Sequence, residues 1–190
     1  MGCDRACCCL AGRTAEALAL CGRLVPGDAY EWTHVFECLL RADQLTLLDM
    51  SSFLYRPPRS ALSQWEELGR QRMRADYLRW TNPASAELGE AYTTLLDAYD
   101  RGGLPFERAL TRLSYARWLL ARDETRPAHD AVEAILAAAR RHKTRILEAD
   151  SWHLEADIRT RENQPERAEQ AVAEAQRIRQ MVGYFGPGRP

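Results

Sequence analysis

The stretch at residues 163–183, NQPERAEQAVAEAQRIRQMVG, places Ala168, Ala171 and Ala175 along the stripe where a core-facing helix ordinarily carries leucine. Spacings of three and four residues bring side chains onto one helix face, so the three alanines form a single line. Small residues there let a neighbouring helix come close, because the side chains at the contact set the interaxial distance. The stretch therefore predicts a helix nested tightly against a neighbour of similar shape. Gly183 closes it, as glycine commonly does just past a helix end.

The same periodicity recurs outward from this stretch. Helices are expected at about 14–25, 28–50, 60–81, 84–100, 105–122, 127–142, 145–161 and 165–182. The second carries Trp32, Val35, Phe36, Leu39 and Leu40 at helical spacing; the third carries Leu62, Trp65, Leu68, Met73, Tyr77 and Trp80. Ser63, followed three residues later by Glu66, reads as a capping box. The segments VPGD, YRPPRS, TNPAS, RGGLP, DETRP and ENQP supply the breaks. No alternating strand pattern competes. The fold class is all-α, with short connections that favour antiparallel neighbours. Sliding the chain on itself by 37 residues sets Tyr115 on Trp152, Ala131 on Ala168, Ala134 on Ala171 and Ala138 on Ala175. The turns at 125–127 (TRP) and 163–165 (NQP) match better at 38, so two helix–turn–helix units of nearly equal length are expected, at 105–145 and 146–183. Units that cannot bury their own faces must stack.

These two units resemble tetratricopeptide repeats, whose signature runs Trp-x2-Leu-Gly-x2-Tyr, then Ala-x3-Phe, then Pro. The later unit offers Trp152, then Glu155-Ala156 in place of Leu-Gly, Arg159 in place of Tyr, and Ala168-x3-Val172. The earlier one offers Tyr115, Leu119 and Ala131-x3-Ile135, and TAEALALCGRLVPGD at 14–28 is similar to the second helix of such a repeat. Residues 103–141, with Pro105-Phe106-Glu107-Arg108-Ala109 opening a helix, are also similar to the helical repeats of large bacterial signal-transducing ATPase regulators of the maltose-regulator type. The Walker A sequence and the C-terminal helix-turn-helix of those regulators have no counterpart in this sequence. The resemblance implies a TPR-like α-solenoid of antiparallel helix pairs, wound as a right-handed superhelix over 14–183. A disordered cysteine-rich start (1–13) would precede it and a flexible tail (184–190) would follow.

What the resemblance implies for function is a non-catalytic scaffold that binds a protein or peptide partner in a concave groove lined by the first helix of each pair. The alternative is a regulatory or sensor module of a bacterial signalling or transcription-control system, responding to a ligand or partner. With Trp152 as the first signature aromatic, the groove-facing residues of the last unit are Asp150, His153, Asp157, Thr160 and Arg161. The plain reading of the same five is a solvated polar face. Arg112, Arg117 and Arg122 are a weak substitute for the basic clamp that some eukaryotic members of the family use.

Composition bounds the other possibilities. A formal net charge of −1 gives no global attraction to nucleic acid or to an anionic membrane, so neither is an expected partner. The longest apolar runs, ALALC and LTLL, fall far short of the roughly 18 residues a membrane span needs. No basic-then-apolar signal pattern opens the sequence, so a secretory signal is not expected, and the lack of cysteine after residue 38 points to a reducing cytoplasm. All basic residues except Lys143 are arginine, the bias of a GC-rich bacterial coding genome.

All six cysteines fall within the first 38 residues, as Cys3, Cys7, Cys8, Cys9, Cys21 and Cys38. With His34 they could supply metal ligands, but no CxxC pair exists and adjacent cysteines ligate one ion poorly. No metal or cofactor is expected, and Cys21 and Cys38 read as small core residues. Ala6 stands where a myristoylation signal on Gly2 needs Ser or Thr.

His153 and Asp157, one turn apart, could pair on one helix, yet no motif ties a nucleophile to them. His129-Asp130, His142, Glu87, Glu90, Asp97 and Asp100 read as solvated helix faces. No catalytic residue is expected. Tyr184 and Phe185 are expected to fold over the open end of the stack, an apolar face that could otherwise pair two copies as a homodimer.

Overall fold

The computed structural model describes residues 63–183 together with Phe36 and Leu40, both in helical backbone. Within 63–183 six helices follow one another: α1 (Gln64–Thr81), α2 (Glu87–Arg101), α3 (Pro105–Ala121), α4 (Thr125–His142), α5 (Arg145–Arg161) and α6 (Pro165–Met181). No strand occurs among the described residues. The expected helices at 14–25 and 28–50, the cysteine-rich start and the tail lie outside the described residues, apart from buried Phe36 and half-buried Leu40. The chain divides into two compact units, one of residues 1–77 with 184–190 and one of residues 78–183.

In the first unit α1 starts as the sequence predicts. Glu66 Oε2 accepts the Ser63 backbone N–H at 2.8 Å, and Ser63 Oγ accepts the Glu66 N–H at 3.3 Å, the reciprocal pair of a capping box. The buried residues of this helix are Leu68, Met73 and Ala75, accompanied by Arg70, Arg72 and Asp76. Arg72 Nη1 lies 3.3 Å from Asp76 Oδ2, which keeps a buried charge paired. Trp65, expected on the inward stripe, is 47 % exposed in the first turn. The inward row contains an ion pair, so hydrophobicity alone misplaces it.

In the second unit helix ends set the metric. Gly103, Asp123, Lys143, Asn163 and Gly183 all have positive φ, between 56° and 67°, and they stand 20 residues apart. Each is the left-handed residue that closes a helix. Behind the first four, the backbone N–H groups of Leu104, Glu124, Thr144 and Gln164 donate to the carbonyls of Tyr99, Leu119, Ala139 and Arg159 at 2.9–3.0 Å. The left-handed residues themselves donate to the carbonyls three residues back, which completes a Schellman motif after each of α2, α3, α4 and α5. The next helix begins at once, with Pro105 and Pro165 at first-turn positions where a missing N–H costs nothing.

The helix-to-helix spacing is thus 20 residues and the pair-to-pair spacing 40, where sliding the sequence suggests 37 or 38. In the 40-residue register Ala128, Ala131 and Ile135 of α4 correspond to Ala168, Ala171 and Ala175 of α6, and all six are buried. An offset of 37 sets Ala131 on Ala168, one helical turn out of place. Alanine-rich helices look alike after a one-turn slip; their ends do not.

Each helix from α2 to α6 packs on the next, and α3 also touches α5. Between α2 and α3 the contact is aromatic: Tyr92 and Tyr115 have ring centroids 6.0 Å apart, and Tyr115 stacks on Trp118 at 5.6 Å. Trp118 Nε1 donates to the Ser85 carbonyl at 3.2 Å, holding the indole over Gly89. At the other end of the unit α6 packs on α5 through Ala168, Ala171, Ala175 and Ile178.

Candidate functional site

The second half of α5 and the first half of α6, joined by the Asn163 turn, enclose an open groove of about 720 Å³. Ala156, Ala168, Val172 and Ala173 give it an apolar lining, and Asp157, Thr160 and Glu169 stand along it. The small residues that let α5 and α6 approach also leave the groove shallow and unfilled. Thr160 Oγ1 donates to the Ala156 carbonyl at 2.9 Å, which fixes its side chain against α5. Asp157 and Glu169 are exposed, and neither forms an ion pair with another described residue.

The five residues marked by sequence are dispersed. Asp157 and Thr160 line the groove. Asp150 is buried, with its Oδ1 accepting Arg179 Nη2 at 3.1 Å, a bond that holds α6 to α5. His153 is half-buried on α5. Arg161 reaches back to the turn between α3 and α4, where Nη1 donates to the Leu120 carbonyl and to Asp123 Oδ1, both at 2.5 Å. The groove's α6 wall, with Glu169, Val172 and Ala173, is absent from the sequence-derived set. The signal that could have found it is the row of turn-formers Gly103, Asp123, Asn163 and Gly183, which fixes the 40-residue register.

A second cleft of about 580 Å³ lies among α4, α5 and α6. On its α5 side Arg159 donates Nε to Glu155 Oε1 at 2.7 Å and Nη1 to Glu162 Oε2 at 2.9 Å. Arg159 Nη2 also sits 2.6 Å from His129 Nε2. The same Nε2 lies 3.2 Å from Glu155 Oε1. Trp152 lies under Arg140, whose guanidinium carbon is 5.7 Å from the ring centroid. Glu155 Oε2 and Trp152 Nε1 are buried without a protein partner.

His129, Asp130 and Glu133 bring ligand-type atoms within 4.8 Å of one another. Two of the three are exposed carboxylates, and such groups are common on helix surfaces without an ion. Of the three arginines weighed as a clamp, Arg122 stacks over Trp118 at 5.1 Å and pairs with Glu124 at 2.8 Å. Burial, followed by the neighbouring Arg108 charge, holds the Arg112 guanidinium below its ordinary value, with Asp100 opposing both. Arg117 is half-buried on α3 and already engaged. Among the described residues no helix is long and apolar enough to cross a membrane. No protein-family model, no curated protein and no solved structure matches this chain.

Proposed function

We propose that this chain is a non-catalytic interaction scaffold, a short right-handed array of antiparallel tetratricopeptide-like helix pairs that holds a polypeptide partner in the α5–α6 groove. Support for the array comes from the 20-residue recurrence of left-handed turns and from the packing of α3 on α5, which brings the first helix of one pair against the first helix of the next. The observation that carries the function is the groove itself: a pre-formed concave surface with an apolar lining and unpaired acidic groups along it. Recognition there needs a pre-formed shape with a few placed polar groups, and no reacting group. The reading assigns the protein to the cytoplasm, with a protein or peptide as its partner and neither nucleic acid nor lipid.

The test is affinity capture from the native host's lysate, comparing wild-type bait with Asp157→Arg and Ala173→Trp baits. Both positions are exposed, so the core is left intact. A partner captured by wild type and lost from both variants is the expected result. A partner kept equally by all three baits would move the function away from the groove and overturn the proposal.

A further inference from the structure

The molecule contains its own example of what fits such a groove. In the 40-residue register the ten residues lining the α5–α6 groove fall on positions of the α3–α4 pair, and that pair is covered by α5. The correspondence extends to the anchoring atoms. Arg161 of α5 bonds to Leu120 and Asp123, and Arg159 of α5 meets His129. Forty residues on, these positions are Thr160, Asn163 and Glu169, all lining the groove. Ala128 and Val132, fully buried in the internal seat, become Ala168 and Val172.

What differs between the two seats is charge. Arg117 and His129 of the internal seat are replaced by Asp157 and Glu169, its carboxylates Asp123 and Glu133 become Asn163 and Ala173, and no basic side chain lines the groove. Leu120 and Leu136 give way to Thr160 and Gln176, so the groove offers less apolar area than the internal seat and more hydrogen-bonding capacity. An occupant that matched α5 in shape would meet two carboxylates that have no partner of their own.

Resting on the scaffold reading, we infer that the groove takes an amphipathic helix with a small apolar face and arginine or lysine beside it, seated as α5 is seated on the α3–α4 pair. A basic residue at the place of Arg159 would meet Glu169. One at the place of Arg161 would meet the Thr160 carbonyl and the Asn163 side chain. Opposite charge steers such a helix to the groove, and shape fixes its register.

The probe is a fluorescein-labelled 20-residue peptide copying residues 143–162 with Glu155→Gln, because a carboxylate there would face Glu169. Fluorescence polarisation with the full chain reads its affinity. Saturable binding is expected, weakened roughly three- to tenfold by each of Asp157→Arg and Glu169→Arg and weakened further by salt. Ala173→Trp, which fills the groove from an exposed position, is expected to abolish it. Arg167→Ala in the neighbouring cleft should leave it unchanged. A peptide with both Arg159→Gln and Arg161→Gln should bind more weakly by a similar factor.

Absence of saturation, or affinity indifferent to the three groove changes, would overturn the inference. So would tightening of about tenfold on removing residues 184–190, because the chain's own tail would then be the occupant. A dimer dispersed by Ala173→Trp would overturn it too, naming a second copy instead. A lysate partner lost with Asp157→Arg while the peptide fails to bind would sink the basic-helix class and leave the scaffold standing. A lysate partner kept by every groove variant would sink both.

Discussion

Glycine at position 89 offers a test in which local propensity and tertiary packing predict opposite signs. Gly89 lies in α2, where replacing glycine by alanine ordinarily stabilises a helix by up to about 1 kcal/mol. Here an added Cβ would stand 2.8 Å from Trp118 Cη2. The indole cannot simply swing away, since its Nε1 is bonded to the Ser85 carbonyl and its face is stacked on Tyr115. Overpacking of this kind costs about 1–3 kcal/mol. Displacing the indole adds the loss of a hydrogen bond worth about 1 kcal/mol. Set against the propensity gain, Gly89→Ala should therefore destabilise by roughly 1–3 kcal/mol. For a unit near 100 residues that lowers the melting temperature by about 4–8 °C per kcal/mol.

Urea unfolding followed by far-ultraviolet circular dichroism measures the change, and a double-mutant cycle isolates its cause. Trp118→Phe removes both Cη2 and Nε1, so in that background Gly89→Ala should be neutral or stabilising. A coupling energy near zero, or a stabilising Gly89→Ala in the wild-type background, would refute the close approach of α2 to Trp118.

Three further outcomes follow from the same reasoning. Ala175 is fully buried where α6 meets α5, so Ala175→Leu should cost about 1–3 kcal/mol in urea unfolding; an unchanged midpoint would mean that the alanine line is not a tight contact. Lys143 closes α4 with φ 56°, a conformation that disfavours a side chain by about 1–2 kcal/mol against an entropic cost of roughly 0.5–1 for glycine, so Lys143→Gly should raise the melting temperature slightly; a fall would contradict the left-handed cap. The hydrogen bond from Arg177 holds the Glu174 carboxyl below its usual 4.5, so its contribution is present at neutral pH and fades as pH falls below that range. The pair is exposed and the effect small, so the lead of wild type over Glu174→Gln should shrink in acid, and a lead that grew there would reverse the assignment.

Much of the fold was legible because helix ends are chemically marked. Ser63 and Glu66, Pro105, Pro165, Gly103 and Gly183 act through their own backbone and nearest neighbours, so their roles can be read without knowing what packs above them. Trp65 shows where such reading fails: burial is decided by what a distant segment covers, and the row beside it buries an Arg72–Asp76 pair instead. The candidate site follows the same division. Asp157 and Thr160 were marked because their spacing on α5 is a property of one helix. Asp150 and Arg161 share that spacing but are taken up by Arg179 and by the Leu120–Asp123 turn, partners 29 to 41 residues away.

By itself the sequence determined the helical class, the positions of the helices from residue 63 onward, the capping box and the buried alanine line. All of these are set by interactions within a few residues. The tertiary structure decided the 40-residue register, the placing of Trp118 over Gly89, and the opening of a groove between α5 and α6. Those depend on how one helix meets another, and an alanine-rich helix looks the same to its neighbour after a slip of one turn until the left-handed residue at its end fixes where it stops.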